Sequence, residues 1–301
     1  MEETIFRQEL QKRTTAIEDL LKQYLPAEEG YQKTVIEAMN YSLMAGGKRL
    51  RPMLMQETYR MLGGEDDIIE PFMAAIEMIH TSSLVHDDLP CMDDDMMRRG
   101  QASTWAEYGE DMGVLAGDAL MIYAFEVAAK AFKEVSDADD LKRVGRAIEI
   151  LASKTGIYGM IGGQTVDVEL AGGPIPKNKL DFIYRLKTGA LIEASMLIGA
   201  VLGGAAEEDC KIVESLAGKV GLAFQIQDDI LDVTGDQEVL GKEAGSDEKN
   251  QKTTYVTLEG LEKAKKDVEA LSVQAIEDLN KLPGNNEFLE NLIRILIKRQ
   301  K

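Results

Sequence analysis

Cysteine, histidine and tryptophan are nearly missing from this chain: its 301 residues include two of the first, two of the second and one of the third. Cys91 and Cys210 form no CxxC pair, so neither a zinc site nor a disulfide framework is indicated, and both suit a reducing compartment. Positive charge is in deficit, with 34 Lys+Arg against 53 Asp+Glu and a net charge of −19. That sign argues against nucleic acid, whose phosphates need a basic footprint, and disfavours an anionic membrane face. No apolar run approaches the ~18 residues of a membrane span, so none is expected. The start, Met1-Glu2-Glu3-Thr4-Ile5-Phe6-Arg7, lacks a basic segment followed by an apolar core. No signal peptide is therefore expected, and a cytoplasmic location is. The sequon Asn40-Tyr41-Ser42 is then idle, since glycosylation needs the secretory route. The phosphate loops GxxxxGK[ST] and GxGxxG are absent too.

What is present is helical period. From Lys211, apolar residues recur at Val213, Leu216, Val220 and Phe224, three and four apart. Pro71 suits a first helical turn, and Phe72, Met73, Ile76 and Ile79 follow it at helical spacing. Similar stretches cover 3–25, 31–45, 114–133, 139–159, 179–201 and 258–281. Period-two alternation is almost absent. The pattern predicts an all-α bundle of ten or so helices, one domain over 1–301 with no linker to divide it. The polar stretch Thr234–Thr254 is read either as a surface loop or as a lid carrying Lys242, Lys249 and Lys252 to a ligand.

Two carboxylate clusters stand out. In His86-Asp87-Asp88-Leu89-Pro90-Cys91-Met92-Asp93-Asp94-Asp95, five aspartates follow an apolar helix. An acidic run is usually a solvated face, but like charges crowded at a partly buried site need compensating cations. Pro90 cannot continue the helix, so the chain should turn there. In a straight helix Asp87 and Asp93 would point about 120° apart; the turn can bring them together. In Phe224-Gln225-Ile226-Gln227-Asp228-Asp229-Ile230-Leu231-Asp232, Asp228 and Asp232 are one helical turn apart and share a face with Gln225. Oxygen-only donors point to a hard cation, Mg²⁺ or Mn²⁺, and neither cluster has the spacing of an EF-hand.

In so acidic a chain, gathered positive charge is informative. Gly46-Gly47-Lys48-Arg49-Leu50-Arg51-Pro52, Arg98-Arg99-Gly100 and Lys187-Thr188-Gly189 are the basic motifs. Any one alone would read as surface charge. Beside metal-binding carboxylates they suggest ligands with diphosphate groups, which Mg²⁺ bridges and guanidinium groups clamp. His80 lies two helical turns before Asp87, placed either for a phosphate contact or for a structural role.

These residues resemble the trans-isoprenyl diphosphate synthases, the polyprenyl synthetase family, most closely the bacterial short-chain members that make farnesyl diphosphate. The resemblance runs from about Tyr41 to Tyr255 and includes Leu115 to Leu120, Gly162 to Asp167, Gly241-Lys242 and Lys252 to Tyr255 as well as the motifs above. It implies an antiparallel helical bundle around a deep central cavity, a homodimer, and condensation of isopentenyl diphosphate with dimethylallyl or geranyl diphosphate. By the same resemblance, Asp87 and Asp93, supported by Asp88, hold two Mg²⁺, and Asp228 with Asp232 holds a third; Mn²⁺ can substitute. Arg98, Lys187 and Lys242 take the allylic diphosphate. Lys48, Arg51, His80 and Arg99 take isopentenyl diphosphate. Thr188 and Gln225 stabilise the allylic cation, and the departing diphosphate takes the proton.

Product length should depend on the floor beneath Asp87, at Ser82 and Ser83, about one turn down the helix. Bacterial farnesyl synthases often carry an aromatic residue at the Ser82 position. Its absence brings in a geranylgeranyl (C20) product as the alternative to farnesyl (C15), unless Phe125 or Tyr123 supplies the bulk. Gln101 and Trp105 also replace the family's usual Lys and His. A terpene cyclase would not need the second diphosphate site at Lys48 and Arg51. A non-catalytic subunit of a heteromeric synthase would typically lose one aspartate motif.

Overall fold

A computed structural model describes residues 2–234 and 253–298. Gly241, Lys242, Lys249 and Lys252, and with them the lid reading, lie outside the described residues. The chain divides into two compact units, one of Glu2–Gln56 with Glu65–Ile148, the other of Glu57–Gly64 with Glu149–Lys301 as far as described. The expected all-α class holds; within the described residues the only strands are two of two residues each.

The first unit contains α1 (Glu3–Gln23), α2 (Lys33–Leu43), the start of α3 (Leu50–Met61), α4 (Glu70–Asp87), α5 (Thr104–Tyr108), α6 (Glu110–Ala129) and the start of α7 (Ala138–Thr155). Helix α4 is its core. Phe72, Ile76, Met78 and Ile79 are fully buried, and burying each such side chain contributes roughly 1.5–3 kcal/mol. Pro71 sits in the first turn of α4, where its missing N–H costs nothing. Helix α6 packs along α4 because its facing residues are small: Ala116, Gly117 and Ala124 are all buried. At Gly117 the His86 ring lies where a side chain would start, and Ser82 Oγ donates to the Gly117 carbonyl at 2.8 Å.

The expectation of no membrane span meets two apolar helical stretches. The helical stretches Asp67–Asp87 and Glu110–Lys133 are long and apolar enough, by length and composition, to cross a membrane. Counting uninterrupted apolar runs missed them, because a helix tolerates a few polar residues within such a window. The first is 78% buried inside the protein, which is the reason a core helix passes the same test.

The second unit holds α8 (Met160–Glu169), α9 (Lys177–Ile183), α10 (Ala190–Leu202), α11 (Glu207–Thr234), α12 (Tyr255–Glu259), α13 (Leu261–Leu279) and α14 (Glu287–Lys298). Every residue of α10 is buried, and α11 packs against both α10 and α13. Charged pairs fasten these helices. Lys154 reaches Glu193 at 2.5 Å and Glu214 at 2.9 Å, and Asp278 of α13 accepts from Lys219 and Ser215 of α11. Between α9 and α10 the chain does not continue as α-helix: Tyr184–Gly189 is a π-helical turn.

Candidate functional site

In the first unit the aspartate loop folds as the proline demanded. Helix α4 ends at Asp87, and the chain turns through Asp88 to Met92. The Asp93 amide then donates to the Asp87 carbonyl at 2.8 Å, and the Asp95 amide to the Asp88 carbonyl at 3.1 Å. Asp87 and Asp93, six residues apart, thus meet at one turn. The buried Asp88 faces Arg98, whose Nε lies 3.0 and 3.2 Å from its two oxygens; a buried carboxylate needs such a partner. Trp105 donates its indole N–H to the Asp95 carbonyl at 3.0 Å. The residue that departs from the family's usual His therefore has a local task, pinning this loop.

Arg98 lies on a ribbon that the periodicity did not foretell, β1 (Met97–Arg98) paired antiparallel with β2 (Gln101–Ala102). Arg99 turns the ribbon with φ 53°, and its guanidinium donates to the Gly46 carbonyl. The same guanidinium carbon lies 2.8 Å from where a Cβ on Gly47 would be, so that glycine lets the two basic motifs interlock. Among the described residues, the non-glycine residues with positive φ are Arg49, Asp94 and Arg99, all in these motifs. Such backbone costs of order 1–3 kcal/mol apiece and gathers at functional sites.

The motif Lys48-Arg49-Leu50-Arg51 splits into three roles. Lys48 is exposed. Arg49 is wholly buried and pairs with the buried Glu77 at 2.8 Å, with Glu18 at 3.8 Å. Sequence reasoning did not single out Arg49 among its neighbours. Arg51 belongs to a cluster of like charge. Burial, opposed by Glu77 and aided by the charge of Arg99, brings its guanidinium down to about 10. His80 sits among these cations. Burial first, then Arg51, Arg99, Arg49 and Arg98, hold the imidazole well below its usual value. It is neutral near pH 7 and can donate an N–H. Residues from three separate motifs thus converge on one anion-demanding spot. His86, in contrast, is structural: its Nε2 lies 3.1 Å from the Val114 carbonyl and 3.6 Å from Asp118.

In the second unit one pocket gathers Lys187 and Thr188 of the π turn, Asp167 of α8, and Gln225 and Asp229 of α11. Lys187 Nζ reaches Asp167 at 2.7 Å. Two glycines make the assembly possible. A Cβ on Gly163 would strike the backbone of Leu186 and Lys187, and one on Gly221 would lie 2.9 Å from the Gly189 Cα. Asp229, Asp167 and Tyr184 were given no role by the sequence reading; the π turn is the structural signal that marks the place. Asp228 and Asp232 are half-buried, on one face of α11.

The donor set fits a hard divalent cation. Among the described residues no three His, Cys, Asp or Glu side chains already converge as a closed cage. Paired aspartates at Asp87/Asp93 and Asp228/Asp232 instead suit a hard ion that takes one or two carboxylates and completes its shell with water and phosphate oxygens. Of the chain-length positions, Ser82 is buried against α6, Ser83 Oγ donates to the His80 carbonyl at 2.8 Å, and Phe125 is half-buried.

Known proteins agree with this architecture. The chain is 45% identical over 246 residues to an Arabidopsis thaliana protein, heterodimeric geranylgeranyl pyrophosphate synthase large subunit 1, chloroplastic, with 81% of this chain matched to 66% of that one. It is 42% identical over 277 residues to the farnesyl diphosphate synthase of Escherichia coli K12, covering 90% and 91% of the two chains. A crystal structure of the Helicobacter pylori geranyltransferase complexed with magnesium and isoprenyl diphosphate superposes with a TM-score of 0.81 at 33% identity, over 96% of this chain and 95% of that one. The pattern of the polyprenyl synthetases matches residues 32–291, so the chain belongs to the polyprenyl synthetase family.

Proposed function

We propose that this protein is a short-chain prenyltransferase that condenses isopentenyl diphosphate with dimethylallyl or geranyl diphosphate to give farnesyl diphosphate. One observation carries the reading: Arg51, Arg99 and a neutral His80 gather in one cationic cluster, offset in part by Glu77, that suits a strongly anionic ligand.

The family uses a divalent metal. Mg²⁺ is the proposed ion, three in number, held by Asp87, Asp88 and Asp93 and by Asp228 and Asp232. When bound, it supplies neutralisation of the diphosphate charge that develops as the allylic C–O bond breaks. The protein's own groups do the rest. Lys48, Arg51, His80 and Arg99 hold isopentenyl diphosphate, His80 as an uncharged donor. Arg98, Lys187 and Lys242 hold the allylic diphosphate. The Thr188 and Gln225 oxygens line the same pocket as Lys187 and would stabilise the cationic carbon. The double bond of isopentenyl diphosphate attacks, and the released diphosphate takes the proton.

A C20 product is the second reading. It is favoured by Ser82, a small side chain, buried against the Gly117 carbonyl, at the position where the resemblance puts the floor. The homodimer is proposed on the exposed Val114, Leu115 and Ile122 of α6, one synthase domain over 1–301 on the continuous family match, and a cytoplasmic location on two free cysteines. The test is product analysis: purified protein, Mg²⁺ and isopentenyl diphosphate with dimethylallyl, geranyl or farnesyl diphosphate in turn. Accumulation at C15 is expected and accumulation at C20 selects the second reading. No product from any primer would overturn both, in favour of a cyclase or of a subunit that needs a partner.

A further inference from the structure

We infer that Asp229, the middle carboxylate of Asp228-Asp229-Ile230-Leu231-Asp232, is not a metal ligand but a positioning residue that ties α11 to the π turn and to the backbone at Tyr255, fixing where Lys187 and Thr188 stand. Helix phase separates it from Asp228. Successive residues turn by about 100°, so Asp229 points about 100° from Asp228 and about 60° to the other side of Asp232. Burial separates it as well: Asp229 is 7% exposed, whereas Asp228 and Asp232 are half-buried.

Its contacts lead away from a cation. Oδ2 accepts the Tyr184 hydroxyl at 2.5 Å and the Tyr255 amide at 2.7 Å, and the Tyr255 amide also lies 3.3 Å from the Tyr184 oxygen. Two donors use the lone-pair directions of Oδ2, which commits that oxygen to Tyr184 and Tyr255. Tyr184 is the first residue of the π turn, and Lys187 follows three residues later. A π turn carries one residue more per hydrogen-bonded ring than an α-helix and is held by its surroundings rather than by propensity. With Gly163 and Gly221 letting α8 and α11 approach it, the Asp229–Tyr184 bond is the side-chain strut of that assembly.

Asparagine separates the two roles. Its amide oxygen accepts from Tyr184 and Tyr255 as Oδ2 does, but it brings no charge to a cation. Two readouts are needed: hydrogen exchange at the Tyr255 amide without metal, and the Mg²⁺ concentration that half-saturates prenyl transfer. The second readout rests on the proposed activity; the first does not, so a wrong function would silence wild-type turnover and leave the exchange result standing. Asp229→Asn is expected to keep Tyr255 protected and to hold the Mg²⁺ requirement within about threefold, while Asp228→Asn raises it tenfold or more. Asp229→Ala is expected to speed Tyr255 exchange at least tenfold and to lower kcat by a similar factor with the Mg²⁺ requirement unmoved. A tenfold rise in Mg²⁺ requirement for Asp229→Asn, or unchanged Tyr255 exchange in Asp229→Ala, overturns the inference. Should Asp229→Ala fail to fold, the Asn comparison decides alone.

Discussion

Replacing Gly163 by alanine tests whether backbone contact, rather than side-chain chemistry alone, sets the position of Lys187. In an isolated helix the change would be favourable by about 1 kcal/mol, because glycine gives up more chain entropy on folding than alanine. In this fold the added methyl would enter the backbone of Leu186 and Lys187. No side chain there can swing aside; helix α8 and the π turn must part. Overpacking of this kind costs about 1–3 kcal/mol, and obstruction by backbone belongs at the upper end. Subtracting the helical gain leaves a net loss of roughly 2 kcal/mol. The effect on turnover should exceed the effect on stability, since a shift of about 1 Å at a positioning group can cost 10²-fold. Gly145, exposed within α7 with open space around it, is the control; Gly145→Ala should stabilise by up to about 1 kcal/mol and leave turnover alone. Urea midpoints and steady-state kinetics read both variants. If Gly163→Ala matches wild type in midpoint and kcat, close backbone approach does not hold Lys187 in place.

Other perturbations reach separate parts of the argument. Asp87→Ala should abolish turnover while circular dichroism and melting stay unchanged, because α4 packs through Phe72 to Val85 and not through its last residue; near-wild-type activity removes Asp87 from the metal set. Glu77→Gln strands the buried Arg49, and breaking one partner of a buried pair costs about 3–5 kcal/mol, measured by chemical denaturation; a loss below about 1 kcal/mol means Glu18 suffices. Burial pushes the Asp278 carboxyl up, but hydrogen bonds from Lys219, Lys281 and Ser215 outweigh it and hold the group at about 2, below its ordinary 3.8. The folded state therefore gains roughly 2 kcal/mol above pH 4 and loses it as pH falls through 2. Asp278→Asn should flatten stability across that window, and an unchanged acid profile refutes the linkage. Ser82→Tyr should shorten the product, as resolved by chromatography of the prenyl alcohols; an unaltered distribution takes Ser82 out of the floor.

What the sequence disclosed, and what it hid, follows from how each feature is encoded. Helices were legible because burial imposes a period of 3.6 on apolar residues, as at Val213, Leu216 and Val220, all buried on α11. The return of Asp93 to Asp87 was legible because Pro90 forbids the alternative. The ribbon at Met97–Ala102 was not, since two-residue strands have no period to read. Nor was the π turn: the extra residue between Tyr184 and Gly189 comes from contacts with Gly163 and Gly221, far off in sequence. Within Lys48-Arg49-Leu50-Arg51, residue type could not tell the exposed charge from the buried strut, because positive φ at Arg49 breaks the helical phase that would have sorted them. At Asp228-Asp229 that phase is intact, yet spacing alone gave Asp229 no role. Adjacent helical positions turn about 100° apart, so Asp228 and Asp229 point to different sides, yet each lies within reach of the Asp232 face. What sets Asp229 apart is burial, which helix phase read from the sequence does not show, and in the fold it meets the hydroxyl of Tyr184.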